Sequence, residues 1–305
     1  MSSFLQSPAW RVFQESLGRE VIEEHGNGWS FLAIVELASG FRRLYCPYGP
    51  VIGSFADLQP ALDALRKCAV YHRAHYCRIQ PTGYTLNPKE LQAHGLTPIY
   101  YSQPVRTWML DITPSIDGLY AEMKQNTRNI CRNYQKKGMR YRQSTDPRDI
   151  MHLTSLLRGV AAHNHIAVHP DTYFQAQAAA LFPIGAAKLH SIDYEDQVIA
   201  AALTYYHEDT VTYGHAAADF THRKLGASTA LVGEIIQTAK ADGYQLLDFF
   251  GIAPTDDPDH KQAGFTRFKQ SFGGFEQHYS PTCEFGVAPL AYQAYRALRR
   301  LRSLS

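Results

Sequence analysis

Residues 186–215 read AAKLHSIDYEDQVIAAALTYYHEDTVTYGH, three runs of apolar, β-branched and aromatic residues broken at Glu195-Asp196 and again at His207-Glu208-Asp209. The pattern predicts strands over Ala186–Tyr194, Gln197–His207 and Thr210–His215, with Val198–Tyr206 and Thr210–Ala216 forming a hairpin. A helix is expected over Ala227–Asp242 and a strand over Gln245–Phe250. Three successive strands with no helix between them exclude a doubly wound dinucleotide fold. They point to an α+β class, a mainly antiparallel sheet with helices on it.

Working outward, Trp108–Ile112 reads as a strand, Ile116–Lys137 as one long helix, Met139–Arg142 as a strand, and Pro147–His163 and Asp171–Leu181 as helices. Further upstream, Trp29–Leu37 and Leu44–Val51 read as strands with turns, and Tyr76–Ile79 as a strand. Between them Leu58, Ala61, Leu62, Leu65 and Ala69 recur at helical spacing over Asp57–Ala74. The last segment, Pro289–Leu304, is a helix with four arginines and no acid. Its basic face is either solvated or in contact with RNA phosphates or an anionic membrane surface.

At 305 residues, 45% of them apolar, the chain can bury a sizeable core in one large or two medium domains. A net charge of +2 marks no global field for a polyanion. No apolar stretch approaches the roughly 20 residues of a membrane span, and no signal peptide is read at the N-terminus. Five scattered cysteines without a C-x-x-C pair suit free thiols in a reducing cytoplasm.

Charge is distributed unevenly. Lys124–Arg148 holds eight basic residues and one acid, +7 in a chain whose total is +2. Lys124, Arg128, Arg132 and Lys136 recur every four residues, one stripe on a helix, where like charges repel unless a polyanion such as a phosphate backbone is near. His222-Arg223-Lys224-Leu225-Gly226-Ala227-Ser228 precedes a helix, and such a glycine turn can cradle a pyrophosphate or simply begin the helix. Arg223, Gly226 and Ser228 are similar to the R/Q-x-x-G-x-G/A loop of GNAT acetyltransferases. In Phe268-Lys269-Gln270-Ser271-Phe272-Gly273-Gly274, a lysine among aromatics suits a cation at a pocket mouth that stabilises an oxyanion. Spacing alone equally fits a strand edge with a lysine reaching to water. His163, His165 and His169 lack the carboxylates and spacing of a metal site, so no metal is expected.

Taken in order, several segments resemble the Fem peptidoglycan-bridge transferases. They are Phe4-Leu5-Gln6-Ser7-Pro8-Ala9-Trp10, Tyr45-Cys46-Pro47-Tyr48-Gly49-Pro50-Val51, Arg78-Ile79-Gln80-Pro81, Leu110-Asp111-Ile112, Thr127-Arg128-Asn129-Ile130 ending at Lys137-Gly138, Asp248-Phe249-Phe250-Gly251-Ile252 and the Phe268–Gly274 motif. Their collinearity spans nearly the whole chain. The resemblance implies two GNAT-like subdomains without a coiled-coil arm: 1–107 completed by 282–305, and 108–281. It implies an aminoacyl-tRNA-dependent aminoacyltransferase that forms an amide on the stem-peptide amine of a peptidoglycan precursor, lipid II or UDP-MurNAc-pentapeptide. Aminoacyl-tRNA is the co-substrate and no cofactor is needed. The expected location is cytoplasmic, at the inner face of the membrane if the basic C-terminal helix makes a peripheral contact.

By position, the resemblance places Lys269 at the reaction centre beside Phe268, and Tyr84, His169, Tyr173 and His215 around the acceptor. His169 replaces an arginine, and Val12 falls near a phosphate-binding lysine, of a related enzyme acting on a nucleotide-linked precursor. Loss of both charges favours a lipid-linked or a non-peptidoglycan acceptor. Asp248 is the candidate general base, or else a hydrogen-bonding carboxylate at a strand end. Lys124, Arg128, Arg132 and Lys136 become a surface for tRNA phosphates. Two other readings stand beside this one: an acyl-CoA-dependent N-acyltransferase using Arg223–Ser228, and a non-catalytic RNA-binding module.

Overall fold

The computed structural model describes residues 3–99, 102–164 and 167–302. The chain divides into two compact units, Met1–Val105 with His278–Ser305, and Arg106–Gln277.

The first unit begins with α1 (Pro8–Ser16), β1 (Val21–Gly26), β2 (Trp29–Ala38), β3 (Phe41–Cys46), β4 (Val51–Ile52), α2 (Leu58–Tyr71), β5 (Tyr76–Ile79), α3 (Pro88–Ala93) and β6 (Thr97–Pro98). The second holds β7 (Arg106–Asp111), α4 (Ile116–Glu122), α5 (Gln125–Asn133), β8 (Arg140–Ser144), α6 (Ile150–Asn164), α7 (Asp171–Leu181), β9 (Ala187–Tyr194), β10 (Gln197–His207), β11 (Thr210–Ala218), α8 (Ala227–Ala241), β12 (Leu246–Gly251), α9 (Ala263–Gln270) and β13 (Phe275–His278). The chain then returns to the first unit as β14 (Cys283–Gly286) and α10 (Pro289–Arg302).

In the first unit the sheet runs β1-β2-β3-β5-β14-β6, with β4 also on β2. All its pairs are antiparallel except β3 with β5. Helix α2 buries Leu58, Ala61, Leu62, Leu65 and Ala69, the face the periodicity predicts. Several of the collinear motifs turn out to build this unit. Gln6 acts as a strand partner, its amide donating to the Leu32 carbonyl at 3.0 Å and accepting from the Leu32 N–H at 2.8 Å. Ser7 caps α1 by accepting from the Trp10 N–H. Arg78 donates to the buried Glu284 on β14 at 2.6 Å, and Gln80 donates to the carbonyls of Pro104 and Ser280.

The sheet of the second unit runs β13-β7-β12-β11-β10-β9-β8. The expected hairpin is present, with His207 paired to Thr210 across Glu208-Asp209. Glu195 and Asp196 both take positive φ (47° and 59°) in the β9–β10 turn, the twist a two-residue hairpin favours. From β11 the chain crosses through α8 to β12, which pairs parallel to β11. Helix α8 is buried along Ala230, Leu231, Ile235 and Ile236, and a Cβ on Gly233 would lie 2.7 Å from the Cys131 Sγ, so α5 packs closely on it.

The single helix expected over Ile116–Lys137 does not form. Met123 and Lys124 are extended, at ψ 146° and 144°, separating α4 from α5, and Tyr134–Lys137 is a 3-10 turn ended by Gly138 at φ 83°. The break is fixed from a distant segment: the Lys124 N–H donates to the Ser271 carbonyl at 2.9 Å, and the Thr127 hydroxyl donates to that of Ser271. Among the described residues no helix is long and apolar enough to cross a membrane. The five cysteines are free thiols, four of them buried.

Candidate active site

The Phe268–Gly274 motif is a helix and turn rather than a strand edge. Lys269 sits in the last turn of α9, and its ammonium donates to the Gly251 carbonyl at the end of β12. Phe268 packs edge-on against Phe272, which is fully buried against Phe249. After the helix Gly273 and Gly274 take positive φ (85° and 92°), and a Cβ on Gly274 would collide with the Met109 carbonyl. The Trp108 indole N–H donates to the Gly273 carbonyl at 2.7 Å. The paired glycines therefore let the chain turn tightly against β7 and hold α9 beside β12.

Asp248 lies within β12, not at its end. It pairs with Met109 on β7, after which the register shifts before Gly251 pairs with Thr107. Within that irregularity Phe250 takes φ 64°, and its N–H donates to the Asp248 carboxylate at 2.7 Å. Such a break in a ladder bends the strand and releases backbone groups from pairing.

Burial governs both ionisable groups. It raises the Asp248 carboxyl to about 6, opposed by the Phe250 N–H and the Lys269 charge. It lowers the Lys269 ammonium to about 8, opposed by the Asp248 charge. Near pH 7 the carboxylate and the ammonium are thus both largely ionised, yet each is poised to exchange a proton.

Arg106, at the start of β7, binds across this region and was not visible as a site residue in sequence. Its guanidinium forks onto Glu276 of β13 and donates to Asp256, beyond Gly251, at 2.7 Å. Its carbonyl accepts from the Ile252 N–H at 3.0 Å. Both acidic partners lie at least 150 residues away, so no local pattern could have announced them.

A second cluster in this unit joins three of the expected acceptor residues. The His169 ring stacks on Tyr173 at 4.2 Å and meets His215 edge-on at 6.1 Å, while Phe174 closes on His215 at 5.0 Å. Burial, aided by His169, lowers His215 to about 4, so it is a neutral imidazole at physiological pH. Nearby, the buried Tyr205 donates to Gln177 at 3.0 Å. Phe174, Gln177 and Tyr205 complete the cluster through helical and strand spacing that reads as ordinary core. Tyr84 belongs to the first unit, where its hydroxyl donates to Glu90 at 2.9 Å. Of the other histidines, His163 lies tilted against Phe220 at 4.3 Å and His165 lies outside the described residues.

The basic stripe is not one face. Lys124 precedes α5, Lys136 lies in the 3-10 turn, and only Arg128 and Arg132 share the helix. Arg128 donates to the Tyr120 and Ala121 carbonyls at the end of α4, and Arg132 lies over the Tyr120 ring at 5.1 Å. Beyond it Arg140 pairs with Asp196 at 2.7 Å and Arg142 with Asp193 at 2.9 Å. Acids from the neighbouring hairpin thus offset part of the charge counted along the sequence.

The glycine turn at Arg223–Leu225 leads into Gly226 at φ 79°, directly ahead of α8. A Cβ on Gly226 would lie 2.8 Å from Ile130 Cδ1, so α5 packs against this turn.

The region holding β9–β12, α9 and most of α10, residues 184–300, matches the model of the FemAB family. The chain shares its fold with FemX, at TM-score 0.83 and 15% identity over 96% of this chain and 94% of that one. It is also similar to the C-terminal DUF2156 domain of a putative lysylphosphatidylglycerol synthetase from Agrobacterium fabrum, at TM-score 0.62 and 14% identity over 96% and 92%. A tandem GNAT protein from the clavulanic acid biosynthesis pathway matches at TM-score 0.52 and 11% identity over 90% and 87%. The two-sheet α+β architecture is therefore the GNAT-like one that the motifs implied. A search of curated sequences finds no match.

Proposed function

We propose that the chain is an aminoacyl-tRNA-dependent aminoacyltransferase that forms an amide on the stem-peptide amine of a peptidoglycan precursor. The observation that carries this reading is Lys269, lodged against Gly251 and beside Asp248 inside the FemAB-matching region. An aminoacyl ester is already activated, so positioning a neutral amine against its carbonyl supplies much of the rate. As the amine nitrogen bonds to that carbon, charge gathers on the carbonyl oxygen, where the Lys269 ammonium stabilises it. Asp248, with its raised affinity for a proton, takes one from the attacking amine. Collapse breaks the ester C–O bond, and the tRNA ribose leaves as a hydroxyl carrying that proton. No redox or metal step enters this sequence.

The cluster of His169, Tyr173 and His215 supports an acceptor gripped by aromatic and hydrogen-bonding groups. His169 and Val12 stand where a related enzyme acting on a nucleotide-linked precursor has an arginine and a lysine, and the loss of both charges favours a lipid-linked or other acceptor. Lys124, Arg128, Arg132 and Lys136 then serve donor phosphates as separate points rather than as a stripe.

The test is transfer from a pool of labelled aminoacyl-tRNAs to a mixture of precursors, followed by mass. Gain on a precursor that disappears after ribonuclease treatment supports the reading and identifies both substrates. Absence of both transfer and tRNA binding, with stabilisation by micromolar acetyl-CoA, would instead assign the Gly226 turn to an acyl-CoA.

A further inference from the structure

Helix α10 has two apolar faces, and the fold uses one. On the docked face Tyr292 and Tyr295 are buried, Tyr295 stacks on Tyr76 at 4.3 Å, and Arg299 reaches the buried Glu284 at 3.3 Å. On the opposite face Leu290, Ala294, Ala297 and Leu301 follow one another at steps of four, three and four residues, a single line along a helix. All four are exposed, Leu290 to 83% and Leu301 to 67%. Arg296 and Arg300 run along one side of that line, and the helix contains no acidic residue.

The His75 carbonyl accepts the N–H groups of Val287 and Ala288 just ahead of α10, both at 2.9 Å.

We propose that this face of the first unit docks on an anionic lipid bilayer. Helix α10 lies in the interfacial plane with the Leu290–Leu301 line toward the acyl chains and Arg296 and Arg300 among the phosphates. Charge complementarity selects this occupant. A line of small and large apolar residues bordered by arginines, with no acid on the helix, is the pattern of an interfacial helix rather than of a self-complementary contact, where the arginines would face each other. The inference stands apart from the role given to Lys269.

The experiment is flotation of the full chain with vesicles of phosphatidylcholine alone and of phosphatidylcholine with 30% phosphatidylglycerol. Association is expected with the anionic vesicles, reduced at high salt. Replacing Arg296 and Arg300 by Gln should lower partitioning roughly fivefold per arginine, and Leu290→Asp with Leu301→Asp should abolish it. Circular dichroism and the thermal midpoint verify folding, and Leu290→Ala with Leu301→Ala, expected to weaken binding, serves if the aspartates unfold the helix. No association of the wild type, or unaltered flotation of the leucine variants, overturns the proposal. So does a wild-type dimer that these variants convert to monomer, which would give the line to a second copy. Lys269→Ala should float like the wild type while losing transfer, so the two readings fail separately.

Discussion

The pair Asp248 and Lys269 and the basic stretch 124–148 both drew attention in the sequence, and the fold treats them in opposite ways. In the first, two ionisable groups are withdrawn from water and shift toward neutrality, Asp248 upward and Lys269 downward. In the second, many charges remain near the surface, and backbone carbonyls and hairpin acids engage them one at a time. Desolvation gives a few charges chemical leverage, whereas exposure leaves many charges screened and individually weak. Catalysis is expected where charge is scarce and enclosed, and polyanion attraction where it is plentiful and wet.

The largest effect should come from Lys269→Ala, a loss on the order of 10²- to 10³-fold in turnover with tRNA affinity retained. Single-turnover kinetics and filter binding check this, and undiminished turnover would dissolve the contrast between the two regions.

The pH profile sharpens it. Asp248 is protonated below about 6 and cannot accept a proton there, while Lys269 is neutral above about 8 and no longer stabilises an oxyanion. Turnover should therefore be bell-shaped, with limbs near those values and a maximum around pH 7. Lys269→Arg should move the alkaline limb out of range at a cost in rate, because guanidinium does not deprotonate in the accessible range. A profile flat from pH 5 to 9 would detach both residues from the rate-limiting step.

Arg106 tests how the enclosed charge is kept in place. Asp256 is an exposed partner, so Asp256→Asn should leave the thermal midpoint nearly unchanged. Its removal loosens the segment after Gly251, admits water, and should shift the alkaline limb upward by several tenths of a unit with a few-fold loss of kcat and little change in KM. An effect on the midpoint alone would make the Arg106 clamp structural.

The smallest single effects belong to the basic segment. Lys124→Gln or Lys136→Gln should raise the donor KM only a few-fold, and each should reduce the salt slope of tRNA binding by somewhat under one unit. Arg128→Gln should in addition lower stability by roughly 0.5–1 kcal/mol, since its guanidinium serves the last carbonyls of α4. Equal losses on mutating Arg142, which is already paired to Asp193, would show that pairing does not sort these residues.

Where the sequence was sufficient, the information was local. The alternation through 187–218 and the apolar spacing of α2 give the same elements in isolation as in the fold, because side-chain period follows directly from backbone geometry. Asp248, Lys269 and the cluster of His169, Tyr173 and His215 were legible as candidates through collinear motifs. Their surroundings were not. The Lys269 motif fits a strand edge by pattern, and becomes a helix because paired glycines turn it back against Met109 on β7. Asp248 reads as a strand-end residue, and instead precedes an irregularity that frees the Gly251 carbonyl.

The basic helix shows the same limit. Its four-residue repeat is a valid helical signal, yet Ser271 holds the chain extended at Lys124. In α10 the arginines suggested one basic face, while Tyr76 and Glu284 decided which side is buried and so left an apolar line outward. The amino-acid order by itself determined the α+β class, most elements, the Fem-like motifs and the chemical kinds available. Tertiary structure alone decided which charges are enclosed, which are paired, and where the backbone bends. Periodicity is carried by neighbours along the chain, whereas desolvation and hydrogen-bond partnership depend on residues that folding brings from more than a hundred positions away.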